Sequence, residues 1–433
     1  MASTEVYPAS EPERWIYLDR VRTRPGPFTS PDVFDGKEVA KYMESMKVLV
    51  IGAGGLGCEI LKNLALSGFK NLHVIDMDTI DISNLNRQFL FRQSDVGKFK
   101  AEVAARFVEK RVKGVSITPH NCRIQDFDED FYMQFQLVVC GLDSIEARRW
   151  INSTLVNMVD ESAEDSYKPL IDGGTEGFKG QARVILPTIS SCIECQLDMH
   201  APRAAVPLCT LASIPRQPEH CIEWAHVIAW DQEKPFPKLD KDDPEHITWL
   251  YQKSLLRAHE FNIPGVTYSL TQGVVKNIIP AIAATNSVIA AACCNEALKI
   301  ASNCAPFLGF PDNNYMMYSG NDSIYTYTFK HERKPDCPVC GNLARALTVD
   351  RSWTLRELVE SFAARPEAQL KKPSVRAEGK TLYMQSPASL ELQTRGNLDK
   401  SLVELGLEEG QEIAVTDPAF ATVVFKFKLQ FKA

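Results

Sequence analysis

The chain has 433 residues, twelve cysteines and a formal net charge of −7. That length exceeds what one hydrophobic core sustains, so several domains are expected; 45% hydrophobic and 24% charged residues exclude a mainly disordered chain. The acidic balance, with no basic stripe or arm, excludes nucleic acid as a general partner and suits a basic or small protein partner better.

Residues 1–46 are mixed and polar and read as an arm with a peripheral helix. No basic region followed by an apolar stretch opens them, so no secretory signal is expected. A reducing compartment, cytoplasm or nucleus, is the expectation, with cysteines acting as metal ligands, nucleophiles or core residues. KVLVIGAGGLG (47–57) is an apolar run ending in a glycine turn. CEILKNLALSGF (58–69) follows with helical spacing, and NLHVID (71–76) is the next apolar run. Strand, turn, helix, strand predicts a parallel sheet with a right-handed crossover. QLVVCG (136–141), PLIDGG (169–174) and ARVILP (182–187) read as further strands, with an acidic loop at 159–168.

From Cys209 to Tyr268 the texture changes. Prolines cluster and Trp224, Trp230 and Trp249 appear, which predicts an inserted, mainly helical subdomain. Residues 277–295 carry no charge and reach the length of a membrane span. They contain Pro280, Asn286 and Asn295 among small residues, so a buried helix or helix pair is expected and no membrane partner. YMMYSG and IYTYTF (315–320, 324–329) read as a closing strand pair. Beyond the break HERKPD (331–336), Thr354-Leu-Arg-Glu357 is a capping box opening a helix. KTLYMQ, QEIAVTD and VFKFKLQFK are strand candidates, and LDKSLVELGL (398–407) a short helix. This pattern predicts a β-grasp, ubiquitin-like domain. The lysines of its last strand either form a binding face or protect a sheet edge.

Gly52-Ala-Gly54-Gly55-Leu-Gly57 is a G-x-G-x-x-G turn in its proper context, strand before and helix after. Such glycines let backbone N–H groups approach phosphates at a helix N-terminus. Asp76, ending the next strand, stands near the spacing of a ribose-binding carboxylate. The polar run Asp78, Asp81, Ser83, Asn84, Asn86, Arg87, Gln88, followed by Lys98 and Lys100, suits a triphosphate better than a nicotinamide. An NAD-dependent dehydrogenase would leave Arg87 and Lys100 without a role. Asp143 lies just past a strand's carboxyl end, where a carboxylate can hold magnesium against phosphates. Cys192-Ile-Glu-Cys195 and Cys337-Pro-Val-Cys340 are two C-x-x-C knuckles that together make a four-cysteine zinc site. Residues 196–336 lie between them, as expected if zinc fastens the two ends of an insertion.

DMDTIDISNLNRQFLF, with GAGGLG before it and KFKA after it, closely resembles the adenylation domain of ubiquitin-like-modifier activating enzymes and their MoeB/ThiF relatives. PLCTLASIPRQPEHCIEW (207–224) narrows the likeness to catalytic subunits of heterodimeric enzymes for the NEDD/Rub modifier (neddylation). The SUMO-activating branch is the nearest competitor, and a non-catalytic scaffold of the same fold the alternative role. The resemblance implies an α/β, Rossmann-like adenylation domain with an inserted catalytic-cysteine subdomain and a C-terminal β-grasp domain. Expected divisions are an arm at 1–46, the adenylation domain at 47–208 and 271–344, the cysteine subdomain at 209–270, and the terminal domain, which recruits a conjugating enzyme, at 345–433.

By the same resemblance Gly52, Gly54, Gly55, Gly57 and Asp76 bind ATP's phosphates and ribose. Asp78, Asn84, Arg87, Gln88 and Lys100 are further ATP-site positions, and Asp143 holds magnesium. Cys209 forms a thioester with the modifier's C-terminal glycine, a cysteine being suited because its thiolate attacks an acyl adenylate readily. Cys221 is its nearest rival. Arg183 screens the modifier's tail by charge repulsion. A regulatory partner subunit completes the ATP site.

Overall fold

The computed structural model describes residues 12–433 apart from 28, 30, 31, 33, 161, 200–214, 238, 242, 276–280, 310, 311, 342, 343, 366–369, 378, 379, 386, 387, 419–422 and 433. Among these, α1 (Ile16–Arg22) and α2 (Gly36–Ser45) precede a run of β1 (Lys47–Ile51), α3 (Gly55–Leu66), β2 (Asn71–Ile75), α4 (Lys100–Arg111), β3 (Ser116–His120), α5 (Glu129–Met133), β4 (Leu137–Cys140), α6 (Ile145–Asn157), β5 (Leu170–Glu176) and β6 (Lys179–Ile185). After an all-helical stretch the chain returns through α11 (Ala283–Ser302), β7 (Tyr315–Ser319) and β8 (Tyr325–Phe329). The sheet order is β3-β2-β1-β4-β5-β6-β7-β8. The first five neighbours pair in parallel and the last three join antiparallel.

The reason is visible in β1. Its residues are buried on both faces, as parallel strands covered by helices require. Val48 and Val50 enter the core formed with α3, α4 and α11, whereas Leu49 and Ile51 enter the core formed with α6. The chain order reverses between β1 and β4, which opens a crevice at their carboxyl ends. Of residues 277–295, the part from Ala283 onward belongs to one helix, α11, and no described helix is long and apolar enough to cross a membrane. The N-terminal segment is less peripheral than its composition suggests: Met43 is fully buried in the main core, and Arg22 is buried beside Gly68.

The terminal part, from β9 (Arg345–Val349), has its own core. It comprises α12 (Leu355–Ala364), β10 (Ser374–Ala377), β11 (Lys380–Tyr383), α13 (Ala388–Thr394), β12 (Glu412–Thr416) and β13 (Phe425–Phe431), with sheet order β11-β10-β12-β13-β9. Phe362 of α12 packs on Phe427 at 5.2 Å between ring centroids. The capping box at Thr354 and Glu357 forms as expected. Two expectations are corrected. β13 runs between β12 and β9, so Lys426 and Lys428 protect no edge. Residues 398–407 form turns and a bridge to Thr354 rather than a helix. Their backbone groups are taken by the start of α12: Leu355 N–H donates to Lys400 O, Arg356 N–H to Leu398 O, and Leu402 N–H to Trp353 O.

The chain divides into two compact units, residues 1–201 with 281–433, and residues 202–280. In the second, α7 (Pro218–Trp224) runs through a wide turn at Ala225–Ala229 into α8 (Trp230–Glu233), followed by α9 (Pro244–Glu260) and α10 (Tyr268–Val275). Cys221, Ile222, Ile247 and Leu250 form its centre.

On the outer strands of the first unit, His73 Nδ1 and His120 Nε2 lie 3.0 Å apart. Burial, then the neighbouring His120, lowers the His73 pKa to about 4. The folded state therefore favours neutral His73, while the unfolded chain takes up its proton near pH 6.5. That contribution to stability is complete above pH 6.5 and is lost as pH falls toward 4. Urea midpoints measured between pH 7 and pH 4 should fall across that window, and His73→Phe should flatten the fall.

Candidate functional site

The glycine turn is shaped by close backbone contact. Gly52 has φ +97°, and a Cβ there would stand 2.7 Å from the Gly141 carbonyl oxygen. A Cβ on Gly57 would overlap the Gly52 carbonyl. Only glycines let β1, the β4 end and the first turn of α3 meet here. The first α3 backbone bond joins Cys58 N–H to Gly54 O at 2.9 Å, so the amides ahead of it have no partner within the helix, the condition under which a helix start can take an anion.

Asp76 secures the turn from the end of β2. It accepts from Ala53 N–H at 2.6 Å and from Asp78 N–H at 2.9 Å. Burial pushes its carboxyl up, against the pull of Lys100 and these two amides. Each oxygen keeps a lone pair for a ribose hydroxyl. Lys100, opening α4, reaches back to Asp78 at 2.7 Å. Asn84 closes a short turn by accepting from Asp81 N–H at 3.0 Å. Arg87 donates to Ser83 O at 3.1 Å and Asn86 Oδ1 at 3.0 Å. Burial lowers the Arg87 pKa and nearby Asp143 raises it again. Gln88 is buried, its Oε1 without a hydrogen-bond partner. Asp143 is exposed three residues beyond β4, and Arg148 fixes the preceding Leu142 carbonyl at 2.6 Å. The structure thus gathers the glycine turn, Asp76, Asp78, Arg87, Gln88, Lys100 and Asp143 about one crevice end, with an acidic group in the field of each cation.

Arg183, expected to screen a modifier's tail, is fully buried in this chain. It pairs with Asp172 at 2.8 Å and donates to Gln196 Oε1 at 2.6 Å. Asp172 in turn accepts from Arg148 at 2.9 Å. Burial acts to raise the Asp172 pKa, and the two guanidiniums overcome it and hold the carboxylate charged. Arg183 is a structural cation of the sheet.

Cys192, Cys195, Cys337 and Cys340 converge, all buried, with their sulfurs within 4.8 Å of one another. Contacts of 3.6 Å (Cys192–Cys337), 3.4 Å (Cys195–Cys340) and 3.9 Å (Cys192–Cys195) are far beyond a disulfide bond. Ligands ~2.3 Å from a tetrahedral zinc stand about 3.8 Å apart, so the donor set fits zinc. Lys334 N–H donates to Cys195 Sγ at 3.4 Å, the kind of backbone support that thiolate ligands use.

Cys209 lies outside the described residues. Its rival Cys221 is fully buried in the helical unit, and burial pushes its thiol up, which suits a core residue and not a nucleophile. Sequence reasoning missed Asp172, Arg148, Thr175 and Asn286. For Asn286 a signal existed: a polar residue within an uncharged helical run.

The ThiF family profile matches residues 30–339, and that of the E2 binding domain residues 348–431. The chain is 56% identical over 423 residues to the NEDD8-activating enzyme E1 catalytic subunit of Dictyostelium discoideum, covering 94% of each protein. It is 50% identical over 433 residues to the Nedd8-activating enzyme E1 catalytic subunit of Drosophila melanogaster, covering 96% of this chain and 95% of that one. Similarity to SUMO-activating enzyme subunit 2 of Dictyostelium discoideum, 44% over 195 residues, covers 45% of this chain and 28% of that protein.

Two outcomes test the site's framework. Arg183→Met leaves Asp172 buried with one partner fewer, and chemical denaturation should show a loss of about 3–5 kcal/mol. The purified chain should carry one zinc by elemental analysis, and Cys340→Ser should lose it with a fall in melting temperature.

Proposed function

We propose, from the premise that this chain belongs to the ThiF family and to the NEDD8-activating enzyme E1 catalytic subunits within it, a division of labour for its residues. The reaction is ATP-dependent activation of a NEDD-type modifier. ATP lies with its phosphates on the first-turn amides of α3 and its ribose at Asp76. Arg87 and Lys100 neutralise the phosphates, Lys100 exchanging its bond to Asp78 for one to phosphate. Asp143 is the residue that would hold a magnesium ion, which would offset the charge of the phosphates.

The modifier's C-terminal carboxylate oxygen attacks the α-phosphorus, and pyrophosphate leaves. The acyl adenylate then meets the Cys209 thiolate, which attacks the carbonyl carbon. The C–S bond forms, AMP departs with the electron pair of the broken C–O bond, and a thioester remains. Transfer to the cysteine of a conjugating enzyme restores the thiol. Residues 345–433 recruit that enzyme, a reading supported by the E2 binding domain match. A regulatory subunit completes the assembly, as the word "subunit" in the relatives' names suggests. The four cysteines hold zinc as a structural clamp. Arg183, buried and paired with Asp172, is assigned to the framework of the sheet in this proposal.

The observation that carries the reading is the convergence of Arg87, Lys100 and Asp143 on the glycine turn. A SUMO-directed activity is less well supported, since that relative covers under half of the chain. In the assembled complex with magnesium-ATP, a thiol-sensitive band shift is expected with the NEDD-type modifier and not with ubiquitin or SUMO. Cys209→Ala should abolish the shift while keeping pyrophosphate exchange, and Arg87→Ala should lower exchange by roughly 10²–10³-fold. A shift that survives in Cys209→Ala would move the nucleophile elsewhere.

A further inference from the structure

Asn286 sits one turn into α11, on the strand-crossing side of the glycine turn, and is 2% exposed. A carboxamide removed from water is unfavourable unless both its ends are bonded. One end is: Asn286 Oδ1 accepts the Thr175 hydroxyl at 2.6 Å. That bond fixes the amide's orientation and turns its NH2 toward α3. Nδ2 lies 2.5 Å from where a Cβ on Gly55 would stand, and Arg87 Cγ lies 3.4 Å from the same point. The bond to Thr175 uses only the carbonyl end of the amide, which leaves the NH2 available as a donor. Close by, Gln88 Oε1 is buried and unpartnered, with Gln88 Nε2 3.9 Å from the Cβ position of Gly54. An oriented donor, an arginine stem and the N-terminal amides of a twelve-residue helix therefore face one spot.

We propose that Asn286 contacts the nucleotide: its NH2 donates to a phosphate of ATP at the N-terminus of α3, beside Arg87. The inference rests on the ATP-dependent reading above and extends it to a residue from the far end of the fold. It gives the absent side chain at Gly55 a second reason. Alanine there would push the amide away from its donor position as well as crowd the helix start. Thr175 is the positioning residue, since it selects which end of the amide points at the ligand.

The test uses the assembled complex with its regulatory subunit, titrated calorimetrically with magnesium-ATP and, separately, with adenosine. Asn286→Asp keeps the acceptor for Thr175 and replaces the donor by a negative oxygen. A hydrogen bond to a charged group corresponds to roughly ten- to hundred-fold in affinity. ATP binding is therefore expected to weaken about a hundred-fold in Asn286→Asp and about ten-fold in Asn286→Ala. Adenosine binding should stay within about two-fold. In thioester formation the KM for ATP should rise while kcat at saturating ATP is largely kept. Unchanged ATP affinity in both variants, or parallel losses for ATP and adenosine, would overturn the proposal, because packing alone produces no selectivity for phosphate. Thr175→Val covers the case in which the aspartate variant fails to fold. It should weaken ATP and not adenosine, and equal effects on both would count against the proposal. If wild type binds adenosine but not ATP, the assignment of Asn286 falls; if it binds neither, the ATP-dependent reading falls first.

Discussion

Asp172 carries one negative charge in a place from which water is excluded, and it holds two guanidinium groups there. Oδ1 takes Arg148 and Oδ2 takes Arg183. Two cations against one anion would be unfavourable in a core, so neutral oxygens supply the balance. Arg148 also donates to Leu142 O and Gly173 O, and Arg183 to Gln196 Oε1. The Tyr315 ring lies 5.7 Å from the Arg183 guanidinium. Through one carboxylate, α6, β5, β6, the Asp143 loop and the segment after Cys195 are bound together. Arg149 extends the pattern by pairing with Glu194, which stands between the first two knuckle cysteines, and by stacking on Phe425 of the terminal domain at 5.5 Å. The metal-fitting cluster and the Asp143 loop are thus two ends of one buried electrostatic network.

Much of the fold was legible because parallel strands announce themselves. KVLVI, NLHVI and LVVC are short runs buried on both faces, and the glycine turn marks where the first must bend. The terminal domain was legible from its alternating last strand and its capping box. What failed did so for tertiary reasons. Residues 398–407 have helical spacing, but their amides and carbonyls meet the exposed start of α12, and those bonds prevail over local propensity. The place of β13 inside its sheet is a matter of topology, which alternation alone cannot convey. Likewise the polar N-terminal segment sends Met43 into the main core, although nothing in its composition requires that.

The site divides in the same way. Arg87 and Lys100 stood out as candidates because polar groups that dense, after a glycine turn, suit a phosphate ligand, and Asp143 because it lies just past a strand's carboxyl end. The cysteine pairs were legible by spacing, although Cys192 and Cys337 are 145 positions apart. The burial of Arg183 was not legible, because a sequence does not display burial. A lone arginine in a strand reads as a free charge until its neighbours are known, and here Asp172 lies across from it in the β5–β6 pairing. Thr175 and Asn286 escaped for the opposite reason. Each is an unremarkable polar residue, and only the approach of α11 to β5 gives their hydrogen bond a direction.

That approach also bears on how the site handles charge. In the protein as it stands, Lys100 is held by Asp78, which is half exposed, while Asp76 is engaged by two amides. Burial acts on both signs at once, pushing Asp76 toward its protonated form and Arg87 toward its neutral form. In the proposed reaction a triphosphate would give Arg87 a strong partner and offer Lys100 a better one than a solvated carboxylate. The helix amides and the Asn286 donor add attraction without adding charge that would need neutralising beforehand. Fixed dipoles are therefore the right complement here. They favour the bound nucleotide and cost little in the free protein, whereas another buried lysine would require another Asp172.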